Sequence, residues 1–183
     1  MRDVKHVLSA GKIKAVVFDL DGTLYDKRGL KWRMVKRLWW CLPLLAADRM
    51  ARGKCWMAIV KTRWHREVYL PTMVELIGSH QPIRTEALKS LNECRQKGIK
   101  TAVYSDYGCV AEKLAALHID ASQFAFLVDA PSLGLLKPSA KAAHKVLEML
   151  DVTPEQTLFV GDRDEKDGRA ARSVGAQFYL LKD

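Results

Sequence analysis

Two acidic loops stand out in the sequence. Asp19-Leu20-Asp21-Gly22-Thr23-Leu24-Tyr25-Asp26 follows the apolar run Ala15-Val16-Val17-Phe18, and Gly161-Asp162-Arg163-Asp164-Glu165-Lys166-Asp167 follows the run Thr157 to Val160. Between them lie Ser105-Asp106, at the end of a third apolar run, and Lys137-Pro138. Carboxylates from two loops, with a hydroxyl and a lysine, are the groups that a hard cation and a phosphoryl group together need. Mg²⁺ takes oxygen ligands and commonly bridges to a substrate phosphate.

These loops need a scaffold that brings them to one edge. Ala15 to Phe18, Ile99 to Tyr104, Phe124 to Val128, Thr157 to Val160 and Gln177 to Leu181 read as short, mostly buried strands. Helical stripes alternate with them: Ala87, Leu88, Leu91 and Cys94 closed by Gly98; Val110, Leu114 and Leu117; Ala140, Ala143, Val146, Leu147 and Leu150; and Arg169 to Val174 closed by Gly175. Strands alternating with helices predict an α/β fold, a parallel sheet flanked by helices with right-handed crossovers. In such sheets, sites form outside the carboxyl ends of the strands, which is where the polar loops fall.

Asp19-Leu20-Asp21-Gly22-Thr23-Leu24, followed in order by Ser105, Lys137 and Gly161-Asp162 with Asp167, resembles the haloacid dehalogenase superfamily, and the resemblance spans Val16 to about Gly175. It implies a Rossmann-like core, a Mg²⁺ ion, an aspartyl-phosphate intermediate and a small helical cap inserted after the first motif. On this sequence it makes Asp19 the nucleophile and a metal ligand, and Asp21 the general acid and base, whose backbone carbonyl also ligates the metal. It makes Ser105 and Lys137 phosphate-binding, Asp162 a direct metal ligand, and Asp167 a ligand acting through water or outer contacts. Asp106 is counted with the phosphate-binding group, although a carboxylate there repels phosphate unless it turns away to cap the following helix. Asp21 favours phosphate esters within the superfamily, because members that cleave carbon–halogen bonds resemble this pattern without a carboxylate there. Asp164 is an extra acid, suited to solvent or metal, and Asp26 suits a turn at the start of the insert.

The 183 residues carry a net charge of +9. All of it lies between Asp26 and Leu70, where twelve basic residues face three acidic ones and where all five tryptophans, Trp32, Trp39, Trp40, Trp56 and Trp64, also fall. Residues 1–26 and 82–183 are therefore expected to form the catalytic core, and 27–81 a basic, Trp-rich helical cap. Within the insert, Leu30, Met34, Leu38 and Leu42 predict a helix ended or kinked by Pro43, and a second helix is expected over Met50 to Trp64. Three roles compete for this segment: drawing an anionic phosphorylated metabolite to the site, meeting nucleic acid or an anionic membrane surface, or presenting a solvated face over a small tryptophan core.

Composition excludes collagen-like, disordered and disulfide-scaffold classes. Cys41, Cys55, Cys94 and Cys109 form no CxxC pair and no zinc spacing. The longest apolar run, Leu38 to Ala47, is half the length of a membrane span, and no secretion signal opens the sequence. The expectation is a cytoplasmic, Mg²⁺-dependent phosphatase acting on a small phosphomonoester. The alternatives are a phosphomutase, in which the cap excludes water, and a module that binds without cutting. His65 is the one histidine suited to touching a substrate.

Overall fold

The structure is a computed structural model that describes residues 8, 11–51 and 63–181. Five parallel strands, β1 (Ala15–Phe18), β2 (Lys100–Ser105), β3 (Phe126–Asp129), β4 (Thr157–Gly161) and β5 (Gln177–Leu180), form one sheet in the order β3-β2-β1-β4-β5. β1 is central. Ala15 to Phe18 register against Lys100 to Val103 on one side and Thr157 to Val160 on the other. All four β1 residues are buried, as a strand covered on both faces requires.

Seven α-helices lie among the described residues: α1 (Leu30–Arg37), α2 (Leu42–Ala51), α3 (Leu70–His80), α4 (Thr85–Gln96), α5 (Val110–Ala116), α6 (Ala140–Leu150) and α7 (Arg169–Ser173). One face of the sheet, through Val17, Ala102, Tyr104 and Phe159, packs on α6 and α7 by way of Ala143, Val146, Leu147 and Ala171. The other face, through Val16, Phe18, Val103 and Leu158, packs on α4 and α5, and the same apolar cluster runs on into Leu30, Met34, Tyr69, Met73 and Ile77. The helices between β1 and β2 thus share a core with the sheet, with α3 lying directly against α5.

Three details differ from the sequence reading. The Leu30 helix stops at Arg37, a tight turn Trp39–Cys41 follows, and Pro43 sits in the first turn of α2 instead of ending a helix. A proline is tolerated there because that N–H has no partner within the helix. β3 begins at Phe126 because the Phe124 N–H donates to the Ala121 carbonyl (3.1 Å), closing a turn where a strand was expected. α3, with Pro71 in its first turn, was not anticipated. The helix expected over Met50 to Trp64 falls mostly on residues 52–62, outside the described residues.

The chain leaves β1 and returns to α4 through adjacent backbone. The Asp26 N–H donates to the Pro82 carbonyl (2.9 Å) and the Arg84 N–H to the Leu24 carbonyl (3.0 Å), with an antiparallel bridge between Tyr25 and Ile83. No helix among the described residues is long and apolar enough to cross a membrane.

Candidate active site

Because β1 is flanked by β2 and β4, the loops that follow all three meet at one edge. Carboxylate oxygens of Asp19, Asp162 and Asp167 lie within 4.8 Å of one another. Lys137 Nζ reaches in from the segment before α6 and donates to Asp19 Oδ1 (2.5 Å), Asp167 Oδ1 (2.6 Å) and the Tyr104 carbonyl (3.0 Å). Thr23 Oγ1 donates to the other Asp19 oxygen (3.0 Å). Burial raises the Asp19 carboxyl to about 6, with Asp167 and Asp21 pushing the same way and Lys137 opposing. Burial alone would lower the Lys137 ammonium, but Asp19, Asp167 and Asp106 outweigh it and hold the pKa above its ordinary value.

Lys27, which the sequence analysis did not single out, donates to Asp162 Oδ2 (2.5 Å) and to the Asp21 carbonyl (3.0 Å). These are two of the oxygens that the resemblance assigns to Mg²⁺. Burial raises the Asp162 carboxyl, and Lys27 opposes it. The close approach depends on Gly22. Its φ is +105°, and an added Cβ would stand 2.6 Å from both Asp162 Oδ2 and Lys27 Nζ. Asp19, Asp162, Asp167 and the Asp21 carbonyl make a hard oxygen donor set, already drawn around ammonium groups, that fits a divalent cation.

Asp21 turns its carboxylate elsewhere. It accepts Lys113 Nζ on both oxygens (2.8 and 3.1 Å), Tyr25 OH on Oδ1 (2.6 Å) and Ser105 Oγ on Oδ2 (2.7 Å). Lys113 is wholly buried. Burial by itself would raise the Asp21 carboxyl, but the Lys113 charge and these hydrogen bonds outweigh it and hold it below its ordinary range. Lys113 was also missed, although the sequence carried a signal. It lies three residues after Val110 and one before Leu114, on the apolar stripe of α5.

The expected phosphate-binding residues divide. Lys137 is central. Ser105 spends its hydroxyl hydrogen on Asp21 and its oxygen on the Tyr107 N–H (3.2 Å). Asp106 does not cap α5. Its Oδ1 accepts the Lys137 backbone N–H (2.9 Å) and its Oδ2 the Lys166 ammonium (3.3 Å), pinning two loops together, while Asp129 accepts the Val110 N–H at the start of α5 (3.3 Å). Asp164 faces out, gripped by both terminal nitrogens of Arg172 at 2.9 Å, so Asp167 is the acid that joins Asp19 and Asp162. Asp26 accepts the Arg28 N–H (2.8 Å) and Nε (2.6 Å), as a turn residue does. His65 is fully buried and stacked on Tyr69 with ring centroids 4.9 Å apart, a packing role and not a substrate contact.

A five-stranded parallel sheet with an acid cluster outside the carboxyl ends of β1 and β4 defines a Rossmann-like α/β protein with a site at the usual edge. The family model for haloacid dehalogenase-like hydrolases matches residues 13–175, and the chain belongs to that family. It is 36% identical over 159 residues to haloacid dehalogenase-like hydrolase domain-containing protein 3 of Xenopus laevis, covering 86% of this chain and 63% of that protein. It therefore spans less than two thirds of that relative's length. It is 30% identical to the putative pyrophosphatase PpaX of Caldanaerobacter subterraneus, over 93% of this chain and 82% of that one. A HAD phosphatase from Thermococcus onnurineus matches the fold with a TM-score of 0.70 at 18% identity, over 93% of this chain and 86% of that one. CbbY from Rhodobacter sphaeroides, in complex with xylulose-(1,5)bisphosphate, matches with a TM-score of 0.72 at 21% identity, over 93% and 87%.

Proposed function

We propose that the protein is a Mg²⁺-dependent phosphatase that hydrolyses a small phosphomonoester through phospho-Asp19, with residues 27–81 forming a cap over the site. The observation that carries the reading is the convergence of Asp19, Asp162 and Asp167 at the carboxyl edge of the sheet, with Lys137 bridging Asp19 and Asp167. The names of relatives support it: besides PpaX, the chain is 30% identical over about half its length to a glyceraldehyde 3-phosphate phosphatase of Pyrococcus furiosus.

When bound, the cation offsets charge on the phosphoryl oxygens and screens Asp19 from the dianion it attacks. Asp19 forms the new O–P bond as the ester P–O bond breaks. Lys137 holds the Asp19 carboxylate in line and offsets charge on the phosphoryl group. Asp21, held ionised by Lys113, is in the state that takes a proton from the water that later cleaves phospho-Asp19. To donate a proton to the departing alkoxide, the Asp21 carboxylate must first leave the Lys113 contact and take up a proton from solvent. The unpaired thiols Cys41, Cys94 and Cys109 are in keeping with the reducing cytoplasm.

The test is phosphate release from a panel of phosphomonoesters with and without Mg²⁺, for wild type and Asp19→Asn. The expected result is release that needs both the metal and Asp19, with the variant at least 10³-fold slower. Metal-dependent release that persists in Asp19→Asn overturns the covalent mechanism. Silence across the panel, with phosphate instead reappearing on a second hydroxyl of the substrate, turns the reading toward a mutase.

A second reading rests on the tryptophans. Trp32, Trp39 and Trp40 are 60 to 69% exposed, beside exposed Leu42 and Leu44 and the basic Lys31, Lys36 and Arg37, so they do not build the small core that was one expectation. Amphipathic rings among cations suit the headgroup level of an anionic bilayer. Cosedimentation with phosphatidylserine vesicles, lost in Trp39→Ala/Trp40→Ala and absent with neutral phosphatidylcholine, is the expected outcome. Salt-sensitive retention of a nucleic acid with no vesicle binding would assign the face to a polynucleotide.

A further inference from the structure

Between the carboxyl edge of the sheet and the helices α1 to α3 lies a cavity of about 580 Å³, in the range of pockets that bury most of a small organic ligand. Its two ends differ in chemistry. Asp21, Lys27 and Arg163 line the end nearest the catalytic carboxylates. Away from them the wall is mostly apolar, formed by Leu30, Met34, Val35, Leu45, Tyr69 and Met73, with Lys31 as its one ammonium group. Among the described lining residues, Asp21 is the only carboxylate and none carries an amide or aliphatic hydroxyl, so beyond the charged end the polar groups are few: the Tyr69 phenol and the Lys31 ammonium.

We propose that the alcohol released by this enzyme carries an apolar aryl or alkyl body, so that its substrate is an amphiphilic phosphomonoester and not a sugar or amino-acid phosphate. The inference rests on the phosphatase reading and names the substrate class of that same site. The phosphoryl group goes to the Asp19 end, where Lys27 and Lys137 stand. The body then extends along Met34 and Met73 toward Tyr69. A polyhydroxylated body in this cavity would carry more hydroxyls than the Tyr69 phenol and the Lys31 ammonium can partner, and each one left unpaired costs about tenfold or more. An apolar body meets surface that gains from leaving water. The two methionines are flexible and polarizable, so the wall adapts to a ring or a chain.

Two measurements test this separately from the chemistry. The first compares kcat/KM for hexyl and 1-naphthyl phosphate with that for glycerol 3-phosphate and phosphoserine, in wild type and in Met34→Asn and Val35→Asn. Val35 is only half-buried, so its variant remains informative if the Met34 change impairs folding. The expected result is at least a tenfold preference for the apolar esters, reduced several-fold by either variant through KM, with the polar esters losing less than the apolar ones. A preference for the polar esters, or variants that slow all substrates alike, overturns the proposal.

The second measurement needs no turnover. Calorimetry compares hexylphosphonate with 2-aminoethylphosphonate, neither of which is hydrolysed by phosphatase chemistry. Tighter binding of hexylphosphonate, with a negative heat-capacity change that shrinks in Val35→Asn, supports the apolar pocket. Equal binding overturns it. If the phosphonates show the preference while no ester releases phosphate, the catalytic reading fails and the pocket assignment stands.

Discussion

At the carboxyl edge of the sheet, charge is paired and, for Lys113 with Asp21 and Lys137 with Asp19 and Asp167, buried; Lys27 meets Asp162 at the half-exposed rim. Along α1 and the turn after it the reverse holds, with lysines and arginines in water and three tryptophan rings exposed beside them. The first arrangement over-determines each side chain, because removing one partner strands another where water does not reach it. The second leaves side chains free to meet something outside the fold. Positions at the edge are held by their neighbours, whereas those on α1 are set by whatever they contact.

The contrast is sharpest at Lys113. Lys113→Met leaves Asp21 ionised and buried with only Tyr25 and Ser105, and the loss should be about 3 to 5 kcal/mol. Urea unfolding measures it, and a loss under about 1 kcal/mol would mean that the pair is not held as described.

Asp19→Asn gives the next effect, with opposite sign. The folded-state pKa of about 6 is above the ordinary 3.8, so stability linked to this group is present below about pH 4 and lost as pH rises through 6. In chelator at pH 7 to 8, Asp19→Asn should therefore be more stable than wild type by on the order of 1 to 3 kcal/mol, with the advantage gone by about pH 4. Thermal melts across that window check it, and a variant less stable at pH 8 would break the assignment.

Gly22→Ala should cost about 1 to 2 kcal/mol from its positive φ, and it should also push Lys27 off Asp162. Chemical denaturation measures the first effect and metal titration the second. Smallest of all, Trp39→Ala should change stability by less than about 0.5 kcal/mol, since the ring is exposed. A larger loss would show that the α1 face is structural after all.

Much of this architecture was readable from apolar runs and stripes. β1, β2 and β4 emerge where Ala15 to Phe18 and their counterparts predict them, because strands buried on both faces carry an unbroken apolar signature, and the half-buried edge strand β5 also falls on its predicted run. α3 was missed because Tyr69, Met73, Leu76 and Ile77 follow residues whose charge and aromatic content dominate the reading. Asp19, Asp162, Asp167 and Lys137 come together as their order implies. The directions of Ser105 and Asp106 were not legible, because they depend on partners 84 and 31 residues away in sequence. Lys27 and Lys113 illustrate the same limit. A lysine in sequence reads as solvated, and only the fold shows that it neutralises a buried carboxylate.

The paired backbone bonds from Leu24 and Asp26 to Pro82 and Arg84 carry a consequence for how the molecule varies. The core itself holds the two ends of residues 27–81 side by side, so the cost of closing that loop is met by backbone bonds outside it. That makes this junction a socket. A different segment could keep its ends in place there, but it would have to bring its own apolar face to this side of the sheet, because Leu30, Met34, Tyr69, Met73 and Ile77 share a cluster with Val16 and Phe18.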